Sequence, residues 1–348
     1  MPPNEKAREP ALARATESPG WSGRRVVVTG AGGFIGSHLV ETLAQRGARV
    51  RAFVRYASHG GHGFLDELPH ELRDAIEVVP GDLKDPQAVR GLVQGAEVVF
   101  HLGALIAIPY SYVNPTDFVQ TNVTGTTHVL NACRDAGVAR LVTTSTSEVY
   151  GTALRAPIDT DHPLQPQSPY SASKIAADMM ALSYHNAFRL PVAVLRPFNT
   201  YGPRQSLRAV IPTIIAQALS RDRIELGSLA PTRDLTYVAD TVDGFLRIAG
   251  CDGAIGRVVA IGQGSEISIG DLAKKILAVL GKSALPIVED TARVRPETSE
   301  VFRLIVDNRA AKEMLGWTPT VSLDEGIRRT AAWLETRKDA ARAGRYHI

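Results

Sequence analysis

At residues 24–30 an apolar run, RRVVVTG, stops on a glycine and passes through only Ala-Gly-Gly into FIGSHLVETLAQRG. There Ile35, Leu39, Val40 and Leu43 recur at helical spacing. ARVRAFVR (48–55) next alternates as a strand does, and IEVVPGDL, EVVFHLGA, RLVTTST and VAVLRPF supply four further short strands. Helical patterns intervene: QAVRGLVQ, TNVTGTTHVLNACRDAG and the run from Tyr170 to Asn186. Strict alternation of strand and helix means an α/β chain with a parallel sheet covered on both faces, the doubly wound arrangement.

TGAGGFIG places Gly30, Gly33 and Gly36 directly after the first strand, and Phe34 and Ile35 open the helix. Glycines let backbone N–H groups approach a pyrophosphate, and a helix N-terminus adds favourable partial charge. A tight turn without a ligand is the competing reading, but the strand–turn–helix context favours a Rossmann dinucleotide site. The second strand runs into AFVRYAS with no acid to bond a ribose 2′-hydroxyl; Arg55 and Ser58 stand there instead. A guanidinium suits a 2′-phosphate, so NADP is expected ahead of NAD. Asp82, at the end of the third strand, is placed to meet the adenine amino group or else to cap its loop. Leu83 and Leu102 fall at neighbouring strand ends and are expected to line the same crevice.

YSASK sets Tyr170 and Lys174 four apart on one helical face, so a nearby ammonium can lower a phenol that takes a hydroxyl proton. Upstream, STSEVYG closes the fifth strand with the hydroxyls of Thr146 and Ser147 and a carboxylate, Glu148. Moving a hydride needs only the hydroxyl; Glu148 adds a second base. As a cap or an ion-pair partner, Glu148 would be mere structure.

With these motifs, and with HLGA, TNVTGT, RPFNTYGPR, RDLTYVAD and RPETSEV, the chain resembles the extended short-chain dehydrogenase/reductases from about Arg24 to Trp333. Within them it resembles the nucleotide-sugar epimerases and dehydratases. Thr146, Ser147 and Glu148 match the Thr-Ser-Glu of GDP-mannose 4,6-dehydratases, where simple 4-epimerases generally lack the acid. The wider motif set looks most like the NDP-N-acetylglucosamine 4,6-dehydratases of legionaminic-acid-type pathways. The resemblance implies a cofactor in a first lobe, a nucleotide sugar in the cleft, a smaller α/β substrate-binding lobe, and a homodimer. It also implies roles: Thr146 bonding the sugar O4, Tyr170 as base with Lys174 beside it, and Glu148 working at C5. Asn199, Arg204 and Arg295 would hold sugar, diphosphate or base, and Arg233 suits a diphosphate because guanidinium grips phosphate in two places. The relatives with Thr-Asp-Glu use the aspartic acid on the departing hydroxyl. Ser147 is too weak an acid for that, so Glu148 is expected to pass its proton to O6, through Ser147 or a water. The expected reaction is therefore a nucleotide-sugar 4,6-dehydration. A 4-epimerase, a 5,6-dehydratase and a non-catalytic NADP-binding regulator are the alternatives.

The sequence divides into a lead-in (1–21), a dinucleotide-binding domain (22–198 plus 234–262), a substrate-binding lobe (199–233 plus 263–335) and a tail (336–348). The lead-in is expected to be disordered, or else a short helix on a partner. Asp240 is expected to cap the helix TVDGFLRIAG, and Trp317 and Trp333 to be core. With 348 residues, 44% of them hydrophobic and 22% charged, the chain reads as an ordinary globular protein with a large core. A scattered net charge of +3 gives no basis for nucleic acid, and no apolar run has membrane-spanning length. Cys133 and Cys251 lack ligand-like spacing, which suits a reducing, cytoplasmic setting. Three glycines around His59 and His62 argue for a loop, and no metal is expected.

Overall fold

The computed structural model describes residues 20–290 and 301–337. Residues 1–19 of the lead-in, Arg295 and the tail from Lys338 lie outside them.

The six apolar runs of the first half become strands β1 (Arg25–Thr29), β2 (Arg49–Arg55), β3 (Ile76–Gly81), β4 (Val98–His101), β5 (Arg140–Thr144) and β6 (Val192–Pro197). With a seventh strand, Val258–Ile261, they form one sheet in the order β3-β2-β1-β4-β5-β6-seventh, every pair parallel. This is a Rossmann α/β sheet. Both faces are apolar because alternate residues point opposite ways. Val26 and Val28 join the core beneath helix α1 (Phe34–Gln45), with Leu39, Val40, Leu43 and Phe245. Val27 joins Val89, Leu92, Val129, Leu130 and Ala181 on the other face. Strand order reverses between β1 and β4, which opens the crevice above their carboxyl ends where such sheets bind ligands.

After β6 the chain leaves the sheet. Helices Val210–Ser220, Ile269–Val279 and Leu323–Glu335 pack together, with short strands pairing between them. Their Ile214, Ile276 and Ile327 belong to the same core as α1. Helix Val238–Gly250 and the seventh strand return to the main sheet.

Three local expectations need correction. Trp21, assigned to the lead-in, is buried with its ring 5.8 Å from that of Phe100, so the folded chain starts no later than this residue. TNVTGTTHVLNACRDAG is not one uniform helix: a wide π-type turn, Val119–Thr124, precedes helix Gly125–Ala136. Within that turn the Asn122 side chain bonds both the N–H and the carbonyl of Leu105. Asp240 does not cap its helix but sits inside the first turn. Among the described residues no helix is long and apolar enough to cross a membrane.

Candidate active site

The β1–α1 turn is built for close backbone approach. Gly30 has φ +70°, and a Cβ there would meet the Gly103 nitrogen at 2.8 Å. Gly33 begins α1 with no side-chain cap, and the first turn carries no acid, so the helix N-terminus beside Phe34 and Ile35 is left to an anion. The residues present fit a dinucleotide diphosphate. Beneath the turn a hydrogen-bond chain runs through β1, β4 and the Gly125–Ala136 helix. Thr126 donates to the Asn122 carbonyl, so its oxygen must accept from His101 Nε2; His101 Nδ1 then accepts from Thr29, whose oxygen accepts from the Gly103 N–H. Burial keeps His101 neutral, its pKa pushed down to about 3. Leu83 packs under Gly103 and Gly125, and Leu102 pairs its N–H with the Thr29 carbonyl. Asp82 closes a turn on the Lys84 N–H at 2.9 Å. Arg55 and Ser58 are exposed at the end of β2.

At the end of β5, Thr146 starts a single 3-10 turn, Ser147–Tyr150, and its Oγ accepts the Glu148 N–H at 3.2 Å. The same hydroxyl faces the Tyr170 phenol and favours its charged form. Tyr170 and Lys174 lie on the buried face of helix Pro169–Phe188, which starts with a Ser168–Ser171 capping box and proline in the first turn. Thr146, Glu148, Tyr170 and Lys174 thus converge. The expected lowering of the phenol is not what this arrangement gives. Burial pushes Tyr170 up, the Thr146 hydroxyl opposes that, and the nearby charges of Glu148 and Asp178 add to it. Lys174 gives its ammonium to the Thr144 carbonyl at 2.6 Å, and burial pushes it down against the pull of Asp178. Ser147 is buried. The half-buried Glu148 side chain makes no ion pair or hydrogen bond among the described residues.

On the substrate side, Asn199 follows β6, and its buried amide nitrogen has no partner among the described residues. Arg233 lies in the neighbouring segment and gives Nη1 to the carbonyls of Thr232 and Val301. Arg204 is drawn elsewhere: its guanidinium pairs with Glu41 of α1 at 2.7 Å, which leaves it against the cofactor helix. Reading the sequence missed the buried Asp178–Arg196 pair and its partners Ser145 and Tyr150. A charged residue inside the apolar run VAVLRPF was the available signal.

The family model described as GDP-mannose 4,6 dehydratase matches residues 27–330. A UDP-glucose 4-epimerase of Mycolicibacterium smegmatis is 35% identical over 320 residues, 90% of this chain and 99% of its own. The dTDP-glucose 4,6-dehydratase DesIV of Streptomyces venezuelae, solved with NAD bound, is similar at a TM-score of 0.81 with 30% identity, covering 89% of this chain and 97% of its own. TunA, an NAD-dependent NDP-hexosamine 5,6-dehydratase, is similar at 0.78 with 28% identity, covering 90% and 99%.

Proposed function

The chain belongs to the GDP-mannose 4,6-dehydratase family of extended short-chain dehydrogenase/reductases, and from that premise we propose that it is a nucleotide-sugar 4,6-dehydratase. The substrate is an NDP-hexose, NDP-N-acetylglucosamine first, and the product an NDP-4-keto-6-deoxy sugar. One observation carries the reading: Glu148 sits beside the Thr146–Tyr170 pair with no structural partner among the described residues.

The turn at Gly30, Gly33 and Gly36, with Asp82, Leu83 and Leu102, would hold the dinucleotide. When bound, it would supply reversible hydride transfer, with C4 of the sugar as donor and C6 as acceptor. Tyr170 takes the O4 proton while Thr146 holds O4; the Lys174 ammonium, one turn along the same helix, offsets the burial that keeps the phenol protonated. The new 4-ketone acidifies C5–H. Glu148 removes that proton and gives it to the departing 6-hydroxyl, directly or through Ser147, so water leaves across C5–C6. Once C6 is reduced, C5 takes a replacement proton from solvent through Glu148, and Tyr170 returns the O4 proton to solvent. Asn199 and Arg233 hold the sugar diphosphate. Arg55 and Ser58 favour NADP, although the solved neighbours named above use NAD; comparing both dinucleotides by titration, with Arg55→Ala beside the wild type, decides this. We also propose a homodimer, which light scattering checks.

Glu148→Gln should bind dinucleotide normally, still oxidise C4, and stop C5–H exchange with solvent deuterium, cutting ketosugar formation by about 10²–10⁴-fold. Ketosugar released at the full rate would overturn the reading. A 4-epimerase, which the M. smegmatis relative favours, gives a product of unchanged mass; a 5,6-dehydratase, as in TunA, loses water but leaves an unsaturated C5–C6 in the NMR spectrum.

A further inference from the structure

The Thr146–Glu148 segment is gripped at both ends by a buried ion pair that the proposed chemistry does not use. Asp178, on the Tyr170 helix, and Arg196, in β6, meet at 2.8 Å with side chains only 2% exposed. Removing two charges from water costs on the order of several kcal/mol each, so such a pair persists only where its hydrogen bonds are filled. The Arg196 fork is filled: Nε donates to Ser145 at 3.1 Å, Nη1 to the Tyr150 phenol at 2.5 Å and Nη2 to Asp178. Ser145 in turn donates to the same Asp178 oxygen. Ser145 immediately precedes Thr146, and Tyr150 ends the turn that carries Ser147 and Glu148. Asp178 also lies one helical turn beyond Lys174 and two beyond Tyr170.

We propose that Asp178 and Arg196 are positioning residues: they lock the Thr146–Glu148 segment against the Tyr170 helix, and the Asp178 charge acts on Lys174 one helical turn away and on Tyr170 two turns away. This rests on reading Thr146, Glu148 and Tyr170 as the reacting groups. The charged groups facing Tyr170 are Glu148 across the site and Asp178 along its own helix. Lys174 faces Asp178 and, from β4, the neutral His101. Asp178 is charged and is tied to the strand end through Ser145 and Arg196. An amide in its place keeps the shape and one acceptor oxygen, and both Tyr170 and Lys174 then release protons more readily.

The test uses the full chain and three variants. Asp178→Asn should move the acid limb of the pH–rate profile down by about one pH unit. Arg196→Met should lower kcat by about 10²-fold per folded enzyme, with dinucleotide affinity unchanged, because the reacting groups are misplaced. Ser145→Ala, which removes two hydrogen bonds and no charge, should lower kcat about tenfold and leave the profile in place; it keeps the positioning half open to refutation if Arg196→Met fails to fold. Ultraviolet titration of the Tyr170 phenol, read as the difference from Tyr170→Phe, needs no substrate and should shift down in Asp178→Asn. A wild type that makes no ketosugar from any nucleotide hexose, with that phenol shift intact, sinks the function reading and leaves this one standing. An unmoved phenol and profile in Asp178→Asn, or full kcat in folded Arg196→Met and Ser145→Ala, overturns the proposal.

Discussion

Gly36 shows how tightly one residue constrains the cofactor crevice. A methyl group there would lie 2.1 Å from the Gly30 carbonyl oxygen, a backbone atom that cannot swing aside. Gly36→Ala must therefore push α1 away from β1, costing about 1–3 kcal/mol and weakening dinucleotide binding by at least about tenfold. Isothermal titration with NAD and NADP checks this; unchanged affinity would refute it. That glycine was legible in the sequence because its role is local, a matter of a few residues between a strand and a helix. The place of Glu148 beside Thr146 at the end of β5 was legible for the same reason. Asp178 and Arg196 were not, since their meaning lies in a meeting of one helix and one strand 18 residues apart in sequence. A buried ion pair has no periodicity by which to announce itself. The partner of Arg204 was hidden for the mirror reason: its place on the exit loop is local, but Glu41 is on a helix far earlier in the chain.

Among the elements, the strands and long helices were readable because each buries a face with a regular period. What fastens them together was less so. Asp240 sits within the first turn of the Val238–Gly250 helix, and its carboxylate accepts the Thr320 N–H at 3.0 Å, the Thr320 hydroxyl at 2.7 Å and the Val321 N–H at 3.0 Å. Its carbonyl meanwhile accepts the buried Trp317 indole N–H at 2.9 Å. The side chain thus bolts the connection before the last helix, Leu323–Glu335, to the main sheet's covering helix. Asp240→Ala leaves those donors without their acceptor at a cost on the order of 3 kcal/mol. Urea unfolding should show the loss in the midpoint, with the slope unchanged. A midpoint within error of the wild type would mean that Thr320 and Val321 find water instead.

For the whole molecule, two histidines, the buried His101 and the half-buried His38, decide how the fold meets acid. Burial holds His38, which bonds the Pro203 carbonyl, down to about 4, and His101 down to about 3, both from 6.5. Each folded pKa is depressed, so below pH 6.5 the unfolded chain binds the extra proton. The stability both contribute is full above that point and is lost progressively as pH falls toward the folded values. Asp234 works the other way. Burial raises its carboxyl to about 6 despite three backbone N–H bonds, so between pH 6 and 3.8 the folded state binds the proton more tightly and acid stabilises it. The two histidines outweigh the one carboxyl, leaving a net loss of about 3 kcal/mol between pH 7 and 4.5. Glu266 and Asp307, held low by Arg303 and Arg309, add their losses further down. Against a total stability of about 5–15 kcal/mol, that loss is large enough to measure. Urea unfolding at the two pH values should show it, and His38→Gln, which cannot take up the proton, should remove most of the difference. If the variant keeps the full pH slope, the acid sensitivity of this fold has its source outside the α1–Pro203 contact.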